Sequence, residues 1–152
     1  MNHPAHTYRQ FSVQGATPMG LVAMLYDGAI AALLRAAAAL EAHNIEKKCH
    51  HLKRVLAIIV LLEGTLNFEQ GGEVAQTLNS FYAYARAQAM KANVENSAEI
   101  LRSLIEHFTA LRDAWREGER RLATQSKSFP AENTSVGKDR GDAARIEWSV
   151  SD

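Results

Sequence analysis

Apolar residues recur every three or four positions through four segments of the chain, the spacing that places them on one face of an α-helix. None of these segments alternates apolar and polar residues as a half-buried β-strand would. The most regular segment has apolar residues at Leu101, Leu104, Phe108, Leu111, Trp115 and Leu122. The pattern therefore predicts an all-α protein.

The first two predicted helices are bounded by residues typical of helix ends. Thr17 can cap the first helix, and Pro18 suits its first position, where no amide hydrogen is needed. We expect this helix to end near residues 43–44 and the second to span residues 45–63. Gly64 is then expected to close the second helix in the left-handed conformation.

The third and fourth predicted helices have similar boundary signals. The stretch NFEQGGE is interpreted as a turn before the third helix, which should end near Asn93. Asn96 and Glu99 form the pattern of a capping box at the start of the fourth helix, which should run to about Thr124. Short connections favour antiparallel neighbours, so the predicted fold is an antiparallel up-down four-helix bundle.

Changes in composition divide the chain into an N-terminal segment (residues 1–16), the helical bundle (17–124) and a tail (125–152). The tail is rich in Ser, Gly, Pro and charges of both signs, which predicts disorder. It also holds a small group of apolar residues, namely Ile146, Trp148 and Val150. This group leaves open an alternative in which part of the tail is a short docking segment.

The second predicted helix is apolar around most of its circumference. Its apolar arc spans roughly 250° at 100° per residue, whereas a bundle helix needs little more than about 100°. The surplus predicts either an exposed surface for a partner or an ordinary core or homodimer contact. The third helix has a smaller surplus at Val74, Phe81 and Tyr84. The two stripes of the second helix are Leu52, Leu56 and Ile59 on one side and Val55, Ile58 and Leu62 on the next.

Charge and cysteine content narrow the range of functions. The 152-residue chain has 17 basic and 17 acidic residues, a balance that predicts no nucleic-acid partner. Cys49 is the only cysteine, which excludes an internal disulfide. The N-terminus lacks the pattern of a secretory signal, and no uninterrupted apolar run reaches about 18 residues. We therefore expect a cytoplasmic protein without membrane insertion.

No pattern for catalysis or metal binding is convincing. His43, Cys49, His50 and His51 lie close together in sequence. On a helix, however, consecutive residues point about 100° apart, so the last three cannot hold one ion. No Glu-x-x-His pair of a di-iron bundle occurs, and EQGGE lacks the Lys and Ser/Thr of a phosphate-binding loop. These observations predict no enzyme activity, no metal site and no cofactor.

A row of arginines late in the fourth helix alternates with acidic residues, which favours a solvated, ion-paired face. Contact with an acidic partner remains the alternative for this row. The arginines are Arg112, Arg116, Arg120 and Arg121. Tyr26 and Trp115 lie at core spacing and are assigned to packing.

Three stretches of the chain resemble the FliS-type flagellar secretion chaperones. The first, TYRQFSVQGATPMGLVAMLYDGAI, holds Tyr8, Val13, an Ala-Thr-Pro turn and a Met-Leu-Tyr-Asp-Gly helix. The second is LNFEQGGEVAQTLNSFYAYARAQAMKANVEN, and the third is LRDAWRE around Trp115. Each stretch alone is a weak signal, but the three in this order are specific. The resemblance covers about residues 7–122.

The resemblance implies a cytosolic, non-enzymatic export chaperone with an antiparallel helical-bundle fold. It implies that the protein binds the unfolded C-terminal segment of flagellin, prevents premature polymerisation and delivers it to the flagellar type III secretion apparatus. The export gate and a co-chaperone are further implied partners. The N-terminal segment is expected to act as a lid over the client groove, with Tyr8, Phe11 and Val13 as lid residues.

The surplus apolar faces and the resemblance together predict where the client binds. Amphipathic segments of a client could dock on these faces as helices in a groove. The predicted client-binding residues are Leu52, Val55, Ile58, Ile59, Leu62, Val74, Phe81 and Tyr84. The alternative function is a non-catalytic helical adaptor or a homodimeric structural bundle whose surplus faces are covered by its own copy.

Overall fold

The computed structural model describes residues 18–128, which form an antiparallel bundle of four helices with no strand in this part of the chain. The helices are α1 (Pro18–Glu41), α2 (Ile45–Gly64), α3 (Phe68–Glu95) and α4 (Ala98–Ser128). Both α1 and α3 pack against α2 and α4, so the helices occupy the four corners of a bundle. The predicted fold class is confirmed.

Aromatic side chains from three corners fill the middle of the bundle. Tyr26 of α1 is fully buried, and its ring lies 6.2 Å from Phe108 and 5.9 Å from Trp115 of α4. Its hydroxyl lies 2.7 Å from the hydroxyl of Tyr82, at the diagonally opposite corner. The two hydroxyls share a hydrogen bond where an unpaired one would be costly. The prediction that Tyr26 and Trp115 serve packing is confirmed.

The prediction of an exposed apolar face on α2 is wrong. The five predicted client-binding residues of this helix are buried, each 7% exposed or less: Leu52, Val55, Ile58, Ile59 and Leu62. Because α2 lies between α1 and α3, both of its stripes pack against neighbouring helices. On the α1 side the approach is close, since a Cβ on Gly28 would lie 3.2 Å from Cδ1 of Ile58. These residues therefore belong to the core of the bundle and are not exposed on its surface.

The end of α2 and the start of α3 differ from the prediction. Gly64 is the last residue of α2, and Thr65 follows in a right-handed conformation, with its hydroxyl donating to the Leu62 carbonyl at 2.7 Å. α3 starts before the glycine pair because the side chain of Asn67 caps it, accepting from the amide of Gln70 at 3.1 Å. The glycines interrupt the first turns of α3 instead of preceding it, and Gly72 has a φ of 52°.

The predicted cap of α4 is displaced by one residue. Asn96 has a φ of 53° and ends α3 in the left-handed conformation. The neighbouring Ser97 caps α4, because its Oγ accepts from the amide of Ile100 at 3.2 Å. Asn and Ser are both favourable N-caps, and the left-handed turn decides which one serves.

A buried lysine joins the start of α2 to the end of α3. Lys48 is 2% exposed, and its Nζ donates to the carbonyl of Asn93 at 2.8 Å and to Oδ1 of Asn96 at 2.5 Å. The ammonium group therefore lies at the C-terminal end of α3, where the helix dipole favours positive charge. The contact fixes the relative height of the two helices.

The arginine row of α4 is ion-paired, as expected, but also across helices. Within α4, Glu117 accepts from Arg121 at 3.2 Å. Asp27 of α1 accepts from Arg112 at 3.1 Å and also from Arg116. Both contacts of Asp27 join α1 to α4.

Residues Gly20–Glu41 of α1 are long and apolar enough to cross a membrane, and 56% of the most apolar window is buried inside the bundle. Such burial is typical of a core helix in a bundle.

α4 continues to Ser128, four residues beyond the predicted boundary at Thr124. The predicted lid, with Tyr8, Phe11 and Val13, and residues 129–152 of the predicted tail lie outside the described residues.

Candidate functional site

Three rings lie close together on the outer surface where α3 meets α4. The ring centroids of Phe81 and Tyr84 are 6.4 Å apart, and His107 of α4 lies 5.9 Å from Phe81 and 6.2 Å from Tyr84. We call Phe81, Tyr84 and His107 the aromatic cluster. Tyr84 is 47% exposed, His107 is exposed and Phe81 is half-buried. The cluster thus presents aromatic surface to solvent.

Two contacts hold the aromatic cluster in place. The ring of Phe81 packs edge-on against buried Phe108, with centroids 5.3 Å apart, and such pairs contribute about 0.5–1.5 kcal/mol beyond the area they bury. The imidazole of His107 is oriented by Ser103, whose backbone oxygen lies 2.8 Å from Nδ1. Because a carbonyl oxygen can only accept, Nδ1 carries the hydrogen. The surface is therefore preorganised.

The exposed side of α3 next to the cluster is almost without charge. From Val74 to Met90 the only charged residue is Arg86, which is paired with Glu63 of α2 at 2.5 Å. This stretch is about 24 Å long at the rise of an α-helix. We call seven of its exposed residues the α3 outer face: Val74, Thr77, Ser80, Ala83, Tyr84, Ala87 and Met90.

The chemistry of the α3 outer face suits binding. An exposed apolar patch usually marks the place of a partner, and methionine adapts to partners of irregular shape. Met90 is 55% exposed and Val74 is 38% exposed. Over residues 18–128, no group of three or more His, Cys, Asp or Glu side chains could hold a metal ion.

The structure places the predicted client-binding residues in two different environments. Val74, Phe81 and Tyr84 lie on or beside the α3 outer face, while the five residues of α2 are in the core. His107 and Met90 were not predicted. His107 directly precedes Phe108, so its position at the edge of an apolar seam was visible in the sequence, but its contact with α3 was not.

Comparisons with known proteins agree with the fold and with the resemblance. The model of the family described as "Flagellar protein FliS" matches residues 1–121. A protein of Campylobacter jejuni named flagellar secretion chaperone FliS is 34% identical over 112 residues, covering 74% of this chain and 88% of the relative.

Two further relatives carry the same name. The Vibrio cholerae protein is 33% identical over 119 residues, covering 76% of this chain and 88% of its own length. The Bacillus subtilis protein is 32% identical over 117 residues, covering 77% and 86%. With a family model that spans most of the chain and relatives above 30% identity, this protein belongs to the FliS family of flagellar proteins.

Proposed function

We propose that this protein is a flagellar export chaperone that binds the unfolded C-terminal segment of flagellin in the cytoplasm. Binding keeps that segment from polymerising and delivers it to the flagellar type III secretion apparatus. The observation that carries the proposal is the exposed, nearly uncharged α3 outer face with the aromatic cluster at its side. Membership of a family whose curated members are named secretion chaperones supports the same role.

A client that is unfolded when free must offset an ordering cost of about 2–5 kcal/mol or more when it binds. Apolar burial contributes roughly 25 cal/mol per Å², and the α3 outer face offers such area without an unpaired charge to desolvate. Tyr84 is the kind of rigid, amphipathic side chain that dominates binding energy at interfaces. An amphipathic client helix could lie along α3 with an aliphatic residue against the aromatic cluster.

The lid is part of this proposal. In the free protein, Tyr8, Phe11 and Val13 cover the α3 outer face, and the client displaces them. In an antiparallel bundle α1 and α3 start at the same end, and the ten residue steps from Tyr8 to Pro18 can span up to about 33 Å. Removal of residues 1–15 should raise client affinity and promote self-association. An unchanged affinity together with unchanged self-association would rule out the lid.

The decisive experiment compares two half-exposed residues on different helices. Tyr84→Ala removes a ring of the aromatic cluster, while Leu34→Ala removes a side chain of similar exposure (53% against 47%) from α1, the helix at the corner diagonally opposite α3. Titration calorimetry with a synthetic C-terminal flagellin peptide should show about tenfold weaker binding for Tyr84→Ala. Leu34→Ala should bind like the unmodified protein.

Both variants should keep their melting temperature within a few degrees, since exposed substitutions change stability little. Equal affinity of the two variants would remove the α3 outer face from the proposal. A stable dimer that ignores the peptide would instead support the homodimeric structural bundle.

A further inference from the structure

A second surface, on the side of the bundle formed by α1 and α2, carries clustered positive charge. We call the following residues the basic patch: Arg35 of α1 and Lys47, His50, His51 and Arg54 of α2. Lys47, His50, His51 and Arg54 recur every three or four residues and so share one face of α2, and Arg35 acts electrostatically on His51 from α1. Along α2 the patch is about 10 Å long.

In the free protein, protonation of His51 in the basic patch is unfavourable. His51 is half-buried, and its ring lies 5.2 Å from that of the exposed His50. Partial burial first, and then the charges of His50, Arg35, Lys47 and Arg54, lower the pKa of His51. A bound anion would relieve this repulsion.

Most other arginines of the described helices, though not all, form ion pairs within the protein. Arg86 pairs with Glu63 of α2, and Arg112 pairs with Asp27 of α1. The basic patch differs because cations from both α1 and α2 act on the same imidazole, that of His51. The whole chain has as many acidic as basic residues, so the excess of positive charge in the basic patch is local. This positive charge is complementary to a partner segment that carries carboxylates.

We propose that the basic patch is a docking surface for an acidic segment of a partner protein. Arginine forks bind carboxylates through two parallel hydrogen bonds, and Arg35 and Arg54 lie on the two helices that border the patch. At neutral pH the fixed charges are those of Arg35, Lys47 and Arg54, which a few carboxylates would balance.

A polypeptide partner suits these features better than a polyanion. The chain has a formal net charge of zero, so it lacks the long-range field that attracts nucleic acid or an anionic membrane. A patch of about 10 Å also spans only a few phosphates of a nucleic-acid backbone.

The basic patch and the α3 outer face lie on opposite sides of the bundle. The patch joins α1 and α2, whereas the aromatic cluster joins α3 and α4. The docking surface is therefore independent of the client surface, and its test does not use flagellin.

The test uses the full chain and a short fluorescent peptide of alternating Glu and Ala, followed by anisotropy at low ionic strength. Arg35→Glu combined with Arg54→Glu should weaken binding about tenfold. The matched control, Lys91→Glu combined with Arg102→Glu, makes the same change in net charge with exposed residues of α3 and α4. The control should retain nearly all of the affinity, and melting curves should show that both variants are folded.

His51 adds a pH dependence that a merely structural patch would not show. The pKa of His51 is lowered in the free protein, and a bound carboxylate would raise it, so binding takes up protons. Affinity should therefore increase as the pH falls from about 8 to about 6. His50→Gln combined with His51→Gln should flatten this dependence.

Several results would overturn the proposal. These are the absence of saturable binding, an equal loss of affinity in the control variant, and tighter binding of duplex DNA or phosphatidylglycerol vesicles under the same conditions. A severalfold gain in peptide affinity on neutralising the tail with Asp139→Asn, Asp142→Asn and Glu147→Gln would also overturn it. That gain would show that the patch is occupied by the protein's own tail.

Discussion

The hydroxyl groups of Tyr26 and Tyr82 meet at 2.7 Å in the middle of the bundle, where both side chains are 1% exposed or less. The spacing of apolar residues in the sequence placed the ring of Tyr26 in the core. It could not show that the hydroxyls meet, because that contact depends on the relative height of two helices at opposite corners. Each hydroxyl supplies the polar partner that makes burial of the other tolerable.

Removing one hydroxyl should therefore cost more than removing both. We expect Tyr26→Phe or Tyr82→Phe alone to lower the free energy of unfolding by about 1–3 kcal/mol, because the remaining hydroxyl is left unpaired. The double variant should lie close to the unmodified protein. Urea unfolding of the four proteins gives the coupling free energy. Additive losses would mean that the two hydroxyls contribute to stability independently of each other.

The same pair predicts the response of the protein to alkali. Burial raises the pKa of Tyr26 to about 12, against a partial lowering by its hydrogen bond with Tyr82. Burial, followed by the interaction with Tyr26, also raises the pKa of Tyr82 well above 10.0. Because the unfolded phenols ionise first, the stability from this pair is complete below about pH 10 and is lost as the pH rises towards about 12.

The free energy of unfolding should thus fall more steeply above about pH 10 in the unmodified protein than in the Tyr26→Phe, Tyr82→Phe double variant. Lysines titrate in both proteins, so the difference isolates the phenols. Urea midpoints at several alkaline pH values measure it. Parallel curves for the two proteins would show that the phenols ionise without unfolding.

At the scale of the helix, α2 shows what an apolar arc can and cannot predict. The arc correctly indicated an extensive apolar surface, but it carried no information about the number of neighbours. Between α1 and α3 the helix needs two apolar stripes. The small residue Gly28 also lets α1 approach Ile58 closely. A helical wheel drawn for one helix cannot show such a contact between two.

The corrected position of α2 gives opposite expectations for two of its residues. Leu62 is fully buried, whereas Val60 is 48% exposed. Leu62→Ala should lower the free energy of unfolding by about 2–5 kcal/mol through lost burial and a cavity. Val60→Ala should change it by less than about 1 kcal/mol. Similar urea midpoints for the two variants would place Leu62 outside the core.

For α3, the sequence predicted the exposed apolar residues better. Val74, Phe81 and Tyr84 were predicted as binding residues from its surplus apolar face, and the lack of charge between Val74 and Met90 is also visible in the sequence. The ring of His107 could not be added, since it arrives from α4. The start of α3 was predicted too late because Asn67 is a stronger local signal than the two glycines that follow it.

At the scale of the whole molecule, the bundle presents two surfaces of different chemistry on opposite sides. The α3 outer face is nearly uncharged and lies beside the junction with α4, while the basic patch lies at the junction of α1 and α2. Buried contacts such as Tyr26 with Tyr82 connect the two sides through a close-packed core. A packed core of this kind keeps the two surfaces at a fixed separation.

This separation predicts that the two proposed partners bind at the same time. A saturating flagellin C-terminal peptide should leave the affinity for the Glu-Ala peptide unchanged within about twofold, since distant sites without shared contacts are usually independent. Analytical ultracentrifugation should then detect a complex that contains both peptides. Tyr84→Ala should weaken only the flagellin peptide, and Arg35→Glu with Arg54→Glu should weaken only the acidic one. Mutual exclusion of the peptides would show instead that one of them, or the segment it displaces, reaches across to the other side of the bundle.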